Sequence, residues 1–134
     1  DGNDLDILQR HGVLDALQRL KEQGTIRAIG MSTKTIAGGL EAARRCDVVM
    51  VTYNLQHQDE APVLDYCASN NTGVLIKKAL ASGHICLQED EDPVTASMRF
   101  IFKNPATTAA IIGTINPEHL RSNVATAQQV IAAL

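Results

Sequence analysis

Apolar positions recur along this chain with two different periods, and segments of the two kinds alternate. Leu14, Leu17 and Leu20 fall three residues apart among Asp15, Gln18 and Arg19, the stripe of an amphipathic helix, and Gly24 stands where such a helix stops. Ile26, Ala28, Ile29, Gly30 and Met31 then lead into Ser32-Thr33, a short β-like run with a polar end. The pattern next predicts a helix over about Thr35 to Arg45, whose basic last turn suits the negative end of the helix dipole. Val48 to Tyr53 is a continuous β-branched run ending at Asn54, Ala61 to Ser69 reads as a helix with Val63, Leu64 and Cys67 on one face, and Gly73 to Lys78 repeats the strand. Asp92-Pro93 places an N-cap and a first-turn proline before the helical face of Val94, Met98, Ile101 and Phe102. A fourth strand is expected at Ala109 to Ile112, and Asn116-Pro117 opens a last helix with Leu120, Val124, Ala127 and Ile131 on one side.

The predicted order is one helix followed by four strand–helix units. Near-continuous Val/Ile strands between amphipathic helices argue for an α/β fold with a parallel sheet buried on both faces. Two architectures fit: an open doubly wound sheet, and a (β/α)4 half of a TIM (β/α)8 barrel, whose full length is about 250 residues. The first calls for a glycine-rich phosphate turn after an early strand. No G-x-G-x-x-G is present, and Gly38-Gly39 comes too late and lacks the third glycine. The barrel gathers function at the C-terminal ends of its strands, and polar or small residues collect there: Ser32-Thr33, Asn54-Leu55-Gln56, Lys77 to Gly83, and Gly113-Thr114-Ile115-Asn116.

Composition narrows the function classes. The 134 residues carry 45% hydrophobic and 20% charged side chains, the balance of a folded globular chain. A formal charge of −3 with no basic stripe, and only 3% aromatic residues with no Trp, argue against nucleic acid as a partner. No apolar run approaches the roughly 18–20 residues that span a bilayer, so no membrane partner is expected. Cys46, Cys67 and Cys86 fit neither a disulfide framework nor paired metal ligands, and a reducing cytoplasm is the simplest location for them. The chain opens on Asp1-Gly2-Asn3 without an initiator methionine or signal peptide, as an excised piece of a longer protein would.

At the strand ends the wording is specific. The stretch from Leu14 through Gly24-Thr25-Ile26-Arg27-Ala28-Ile29-Gly30-Met31-Ser32 resembles the aldo-keto reductase stretch that runs from a leucine-rich helix into "G-K-I-R-x-I-G-V-S-N". Val51-Thr52-Tyr53-Asn54-Leu55 resembles that family's sixth strand, Gly73-Val74-Leu75-Ile76 through Ser82-Gly83 its seventh, and Ile111-Ile112-Gly113-Thr114 to Asn123 its eighth strand and following helix. The resemblance implies that residues 1–134 form a single C-terminal half-barrel, equivalent to strands five to eight, of an enzyme that reduces aldehydes or ketones with NADPH or NADH. The family's catalytic Asp, Tyr, Lys and His lie on the first four strands, so the resemblance carries over no catalytic residue and implies that the chain alone is inactive. Asp1 to Leu5 looks like the tail of the loop after the fourth strand.

What carries over is cofactor binding. Ser32 and Thr33 match the pair that holds the nicotinamide carboxamide, and Met50 stands where the family has a glutamine. Lys77 takes the place of an aromatic that stacks on the nicotinamide, and Lys78 follows where a serine is usual. Leu80, Ser82 and Gly83 belong to the seventh-strand loop, while Gly113, Thr114, Asn116 and Asn123 match the region around the adenine and 2′-phosphate. Only the family resemblance favours NADP over NAD; the residues themselves do not, because Gly113 and His119 replace the basic residues that often hold the 2′-phosphate and leave only Arg121 as a nearby cation.

Blander readings stand beside these. Alternation sends one of Lys77 and Lys78 inward and the other outward, and both fit solvated strand ends. Either also fits a Schiff-base lysine of a barrel aldolase. Ser32 and Thr33 fit simple caps of the next helix. His84 and Cys86 lack further ligands for a metal, His11 and His57 read as loop residues, and Cys67 reads as core. A non-catalytic binding or assembly module of the same fold is the alternative function. Half a barrel would expose two strand edges and an aliphatic inner face, so self-association, most simply as a homodimer, is expected.

Overall fold

In the computed structural model, residues 3–10, 12–81 and 92–134 are described. Ten elements follow in the order α1 (Asp4–Arg10), α2 (Val13–Glu22), β1 (Gly30–Ser32), α3 (Ile36–Arg45), β2 (Val48–Thr52), α4 (Ala61–Asn70), β3 (Gly73–Lys77), α5 (Pro93–Lys103), β4 (Thr107–Ala110) and α6 (Pro117–Ala132). The strands form one parallel sheet in the order β1-β2-β3-β4. A doubly wound sheet reverses its strand order at a switch point, whereas here each strand pairs with the next in sequence, as around a barrel. The fold is therefore a parallel (β/α)4 half of a TIM barrel.

Local chemistry sets the helix ends. Gly24 at φ 73° stops α2: its N–H donates to the Lys21 carbonyl and the Thr25 N–H to the Leu20 carbonyl, closing a Schellman turn that needs a left-handed residue. The side chains of Thr35, Asp92 and Asn116 accept from backbone N–H groups at the starts of α3, α5 and α6. In β2 and β3 the pleat divides the side chains. Val49, Val51, Val74 and Ile76 are fully buried and pack with Val63, Leu64, Met98 and Ile101 of the helices, and Tyr53 stacks on Phe100 with ring centroids 4.9 Å apart. The alternate positions Val48, Met50, Thr52, Leu75 and Lys77 are only half-buried.

Four expectations need correction. The sheet is not buried on both faces, because the helices cover only one, and the other lies open among the described residues. Asp4 and Leu5 are not loop: they begin α1, which docks on α3 through a buried Asp4 carboxylate accepting from the Lys34 and Thr35 N–H groups at 2.8 and 3.0 Å. The fourth strand is Thr107–Ala110, two residues earlier than the apolar run, because a register irregularity between Val74 and Leu75 lets the less apolar Thr107 join the ladder. The first strand keeps only Gly30–Ser32, since Ile29 uses its N–H on Asp47 Oδ2 and its carbonyl on the N–H groups of Asp47 and Val48.

Candidate functional site

Concavities among the described residues lie on the open face of the sheet and at the C-terminal ends of its strands, where Lys78, Leu80 and Gly113 share one of about 230 Å³ with Ala79, Ile111 and Ile112. On the open face, Gly30, Ser32, Val48, Met50 and Leu75 line a shallow groove of about 150 Å³. Parallel register puts Ser32 beside Met50 and Thr52 beside Lys77, so all four belong to this face. Lys77 reaches back across the sheet: its Nζ donates to Ser32 Oγ at 3.0 Å and to the Thr33 carbonyl at 2.6 Å. Thr33 itself is fully buried, and its hydroxyl has no hydrogen-bond partner among the described residues. The cap of α3 is Thr35, so neither Ser32 nor Thr33 serves that purpose.

Another cleft, of about 370 Å³, lies between the end of β3 and the start of α6. It brings Leu80, Gly113, Thr114 and Asn123 together, with Val94, Ile112, His119 and Ser122 completing the wall. Asn116 caps the 16-residue α6 beside it, its side chain accepting from the Glu118 N–H at 2.9 Å. A Cβ built on Gly113 meets nothing within 4 Å, so the chain's own packing does not demand glycine there, and the backbone stays open to a ligand. A nucleotide suits this cleft: an exposed backbone turn, a helix N-terminus that favours anions, and an Asn and a Thr able to donate and accept. Ser82 and Gly83 lie outside the described residues, as do His11, His84 and Cys86.

A further cleft, of about 410 Å³, is lined by Lys34, Thr35, Ile36, Thr52, His57, Asp59, Glu60 and Lys78. Lys78 is exposed, in a left-handed conformation at φ 55°, and its carbonyl accepts from Asn54 Nδ2 at 2.9 Å. Asn54 is almost completely buried, and its Oδ1 accepts from the N–H groups of Gln56 and His57 at 2.9 and 3.0 Å, so one side chain joins the ends of β2 and β3. Glu60, the buried cap position of α4, accepts from the Thr52 N–H at 3.0 Å through Oε1, and its Oε2 is buried without a partner among the described residues. Burial pushes its carboxyl above the ordinary glutamate range, against the opposing pull of the Thr52 N–H and the Lys77 charge.

Sequence reading placed Asp4 in a loop and did not single out Glu60. Asn54, flanked by Leu55-Gln56, carried a turn signal; a lone Asp or Glu before a helix resembles many solvated acids, and only the fold shows that these two are buried. Among the described residues, no group of three His, Cys, Asp or Glu side chains is placed to hold a metal, and no helix is long and apolar enough to cross a membrane.

The family model for the aldo/keto reductase family matches residues 6–85. No curated protein matches the chain. Among solved structures, a protein from Pseudomonas aeruginosa assigned to the aldo-keto reductases shares 51% identity over 98% of this chain and 48% of its own, with a TM-score of 0.87. The holo form of an aldo-keto reductase from Bacillus halodurans has a TM-score of 0.75 at 14% identity over 90% of this chain and 54% of its own, a likeness of fold. The chain thus spans about half the length of the solved structures it matches. With four consecutive parallel strand–helix units and a family match over most of its length, the chain belongs to the aldo/keto reductase family.

Proposed function

We propose that this chain supplies the nicotinamide-nucleotide side of an oxidoreductase that reduces aldehydes or ketones to alcohols, and that it does not turn over carbonyls by itself. The observation that carries the reading is the convergence of Leu80, Gly113, Thr114 and Asn123 on one cleft beside the capped start of α6. Gly113 and the first turn of α6 would meet the phosphate-bearing end of the nucleotide with backbone N–H groups, and Thr114 and Asn123 would hydrogen-bond its sugar and base. Ser32, on the open face, would hold the carboxamide at the other end. The bound nicotinamide supplies the hydride; the residues of this chain position it and leave proton transfer to the catalytic groups that the family carries on its other four strands. Either NADPH or NADH fits this reading, with Arg121 as the nearby cation for a 2′-phosphate.

Titration of the chain with NADPH, followed by nucleotide fluorescence, tests it. Saturable binding is expected, and Gly113→Val should weaken it at least tenfold while leaving the far-ultraviolet circular dichroism unchanged, because a Cβ at Gly113 meets no neighbour. Nucleotide affinity unaffected by Gly113→Val, or NADPH-dependent carbonyl turnover by the chain alone, would contradict the proposal.

A further inference from the structure

The open face of the sheet carries a lysine that no carboxylate touches among the described residues. Lys77 is half-buried beside Thr52, its Nζ donates to Ser32 Oγ and to the Thr33 carbonyl, and among the described residues no salt bridge reaches it. Glu60, whose carboxyl feels this charge, is buried, and burial raises its pKa. Among the described residues the Lys77 charge on this face has no contacting counter-charge. Its contact with Ser32 also has a direction. Lysine only donates, so Ser32 Oγ accepts from it, and the hydroxyl proton of Ser32 must point to some other acceptor.

Resting on the cofactor reading above, we propose that Lys77 selects the redox state of the bound nucleotide. It turns the Ser32 hydroxyl into a donor toward the nicotinamide carboxamide, and its charge favours the neutral reduced ring over the cationic oxidised one. The two forms differ in the nicotinamide ring and its charge and agree elsewhere, so a fixed cation next to the carboxamide-binding hydroxyl acts on the difference between them. The lysine thus does more than replace an aromatic stacking partner. It biases the site toward the hydride-donating form.

Two like charges held one side chain apart on a half-open surface disfavour one another by about tenfold in affinity. A tenfold preference for the reduced form raises the two-electron potential of the bound couple by about 30 mV. Calorimetric titration of the chain with NADPH and with NADP+ should show the reduced form binding about tenfold more tightly. Lys77→Met and Lys77→Gln should bring the two affinities together, and Lys77→Arg should keep them apart. Ser32→Ala should weaken both forms and preserve their ratio, since the charge remains. A wild-type ratio near one, or a ratio that both neutral variants leave unchanged while each nucleotide still binds, would overturn the role of Lys77 and leave the cofactor reading standing. Failure of both nucleotides to bind overturns the cofactor reading, and this inference with it.

Discussion

Replacing Glu60 by Gln removes one buried acid and keeps its shape. Glu60 is 7% exposed, its Oε1 accepts from the Thr52 N–H at 3.0 Å, and its Oε2 has no partner among the described residues. Burial raises its pKa, the charges of Asp4 and Asp59 push the same way, and the Thr52 N–H and Lys77 offset only part of this. Because the folded pKa lies above the unfolded one, the folded state holds this proton more tightly. The stabilisation is complete below the unfolded value and is lost as pH rises through the folded value. Each unit of elevation corresponds to about 1.4 kcal/mol lost at high pH. Glutamine has no proton to lose, and its amide oxygen keeps the Thr52 contact. Urea unfolding of both proteins from pH 4 to 8 should therefore show nearly equal stabilities at the acid end, within about 1 kcal/mol. The variant should gain on the wild type toward pH 8, as the wild type loses its proton in the folded state. Taking the difference between the two proteins removes the titration of Asp47 and Asp92, whose pKa values are lowered and whose contributions have the opposite sign. A difference that stays flat with pH, or that turns in favour of the wild type as pH rises, would show that burial does not raise the Glu60 pKa.

Two further changes test the parts of the fold that position the site. Asp47 receives Lys21 Nζ at 2.6 and 2.7 Å and the Ile29 N–H at 2.9 Å, contacts that hold its carboxyl below the usual range. Asp47→Ala should cost about 1–2 kcal/mol in urea unfolding at neutral pH. That contribution exists above the unfolded carboxyl pKa and fades as pH falls through the lowered folded value, so an undiminished gap at acid pH would count against it. At Gly38, an added Cβ would stand 2.4 Å from Asp4 Cβ and 2.6 Å from Asp4 Oδ2. Gly38→Ala should therefore expel Asp4 from its contacts with Lys34 and Thr35 at a cost of about 2–4 kcal/mol, read as a lower melting temperature and faster amide exchange in α1. A melting temperature equal to that of the wild type would show that α1 is not held by this carboxylate.

Legibility in the sequence followed the range over which each residue acts. The helix starts at Asp92-Pro93 and Asn116-Pro117 were readable because capping acts over two or three residues, and both side chains do cap. The β-branched run at Val48 to Tyr53 was readable as a strand because alternate residues must enter the core, and Val49 and Val51 do. α1 was not readable: its seven residues lack a long apolar stripe, and Asp4 holds it by bonding to residues thirty positions away. The resemblance singled out the residues of the α6 cleft from ordered blocks, and the folded chain brings Leu80 and Val94 against Gly113, Thr114 and Asn123.

Sequence alone was enough for the four parallel strand–helix units, the helix before them and the family resemblance, though not for α1 or for the bounds of β1 and β4. These depend on periodicity, capping and local wording, which survive without knowledge of distant contacts. The tertiary structure alone decided the direction and state of the polar groups at the strand ends. Strand alternation left Lys77 and Lys78 interchangeable, and only the packed sheet turned Lys77 across to Ser32 and Thr33 while Asn54 held the Lys78 carbonyl. Glu60 likewise became a buried acid with a raised pKa only when the start of α4 met the Thr52 N–H at the end of β2. The reason is the same in each case: a polar group's charge and direction depend on the groups that replace its water, and those come from elsewhere in the chain.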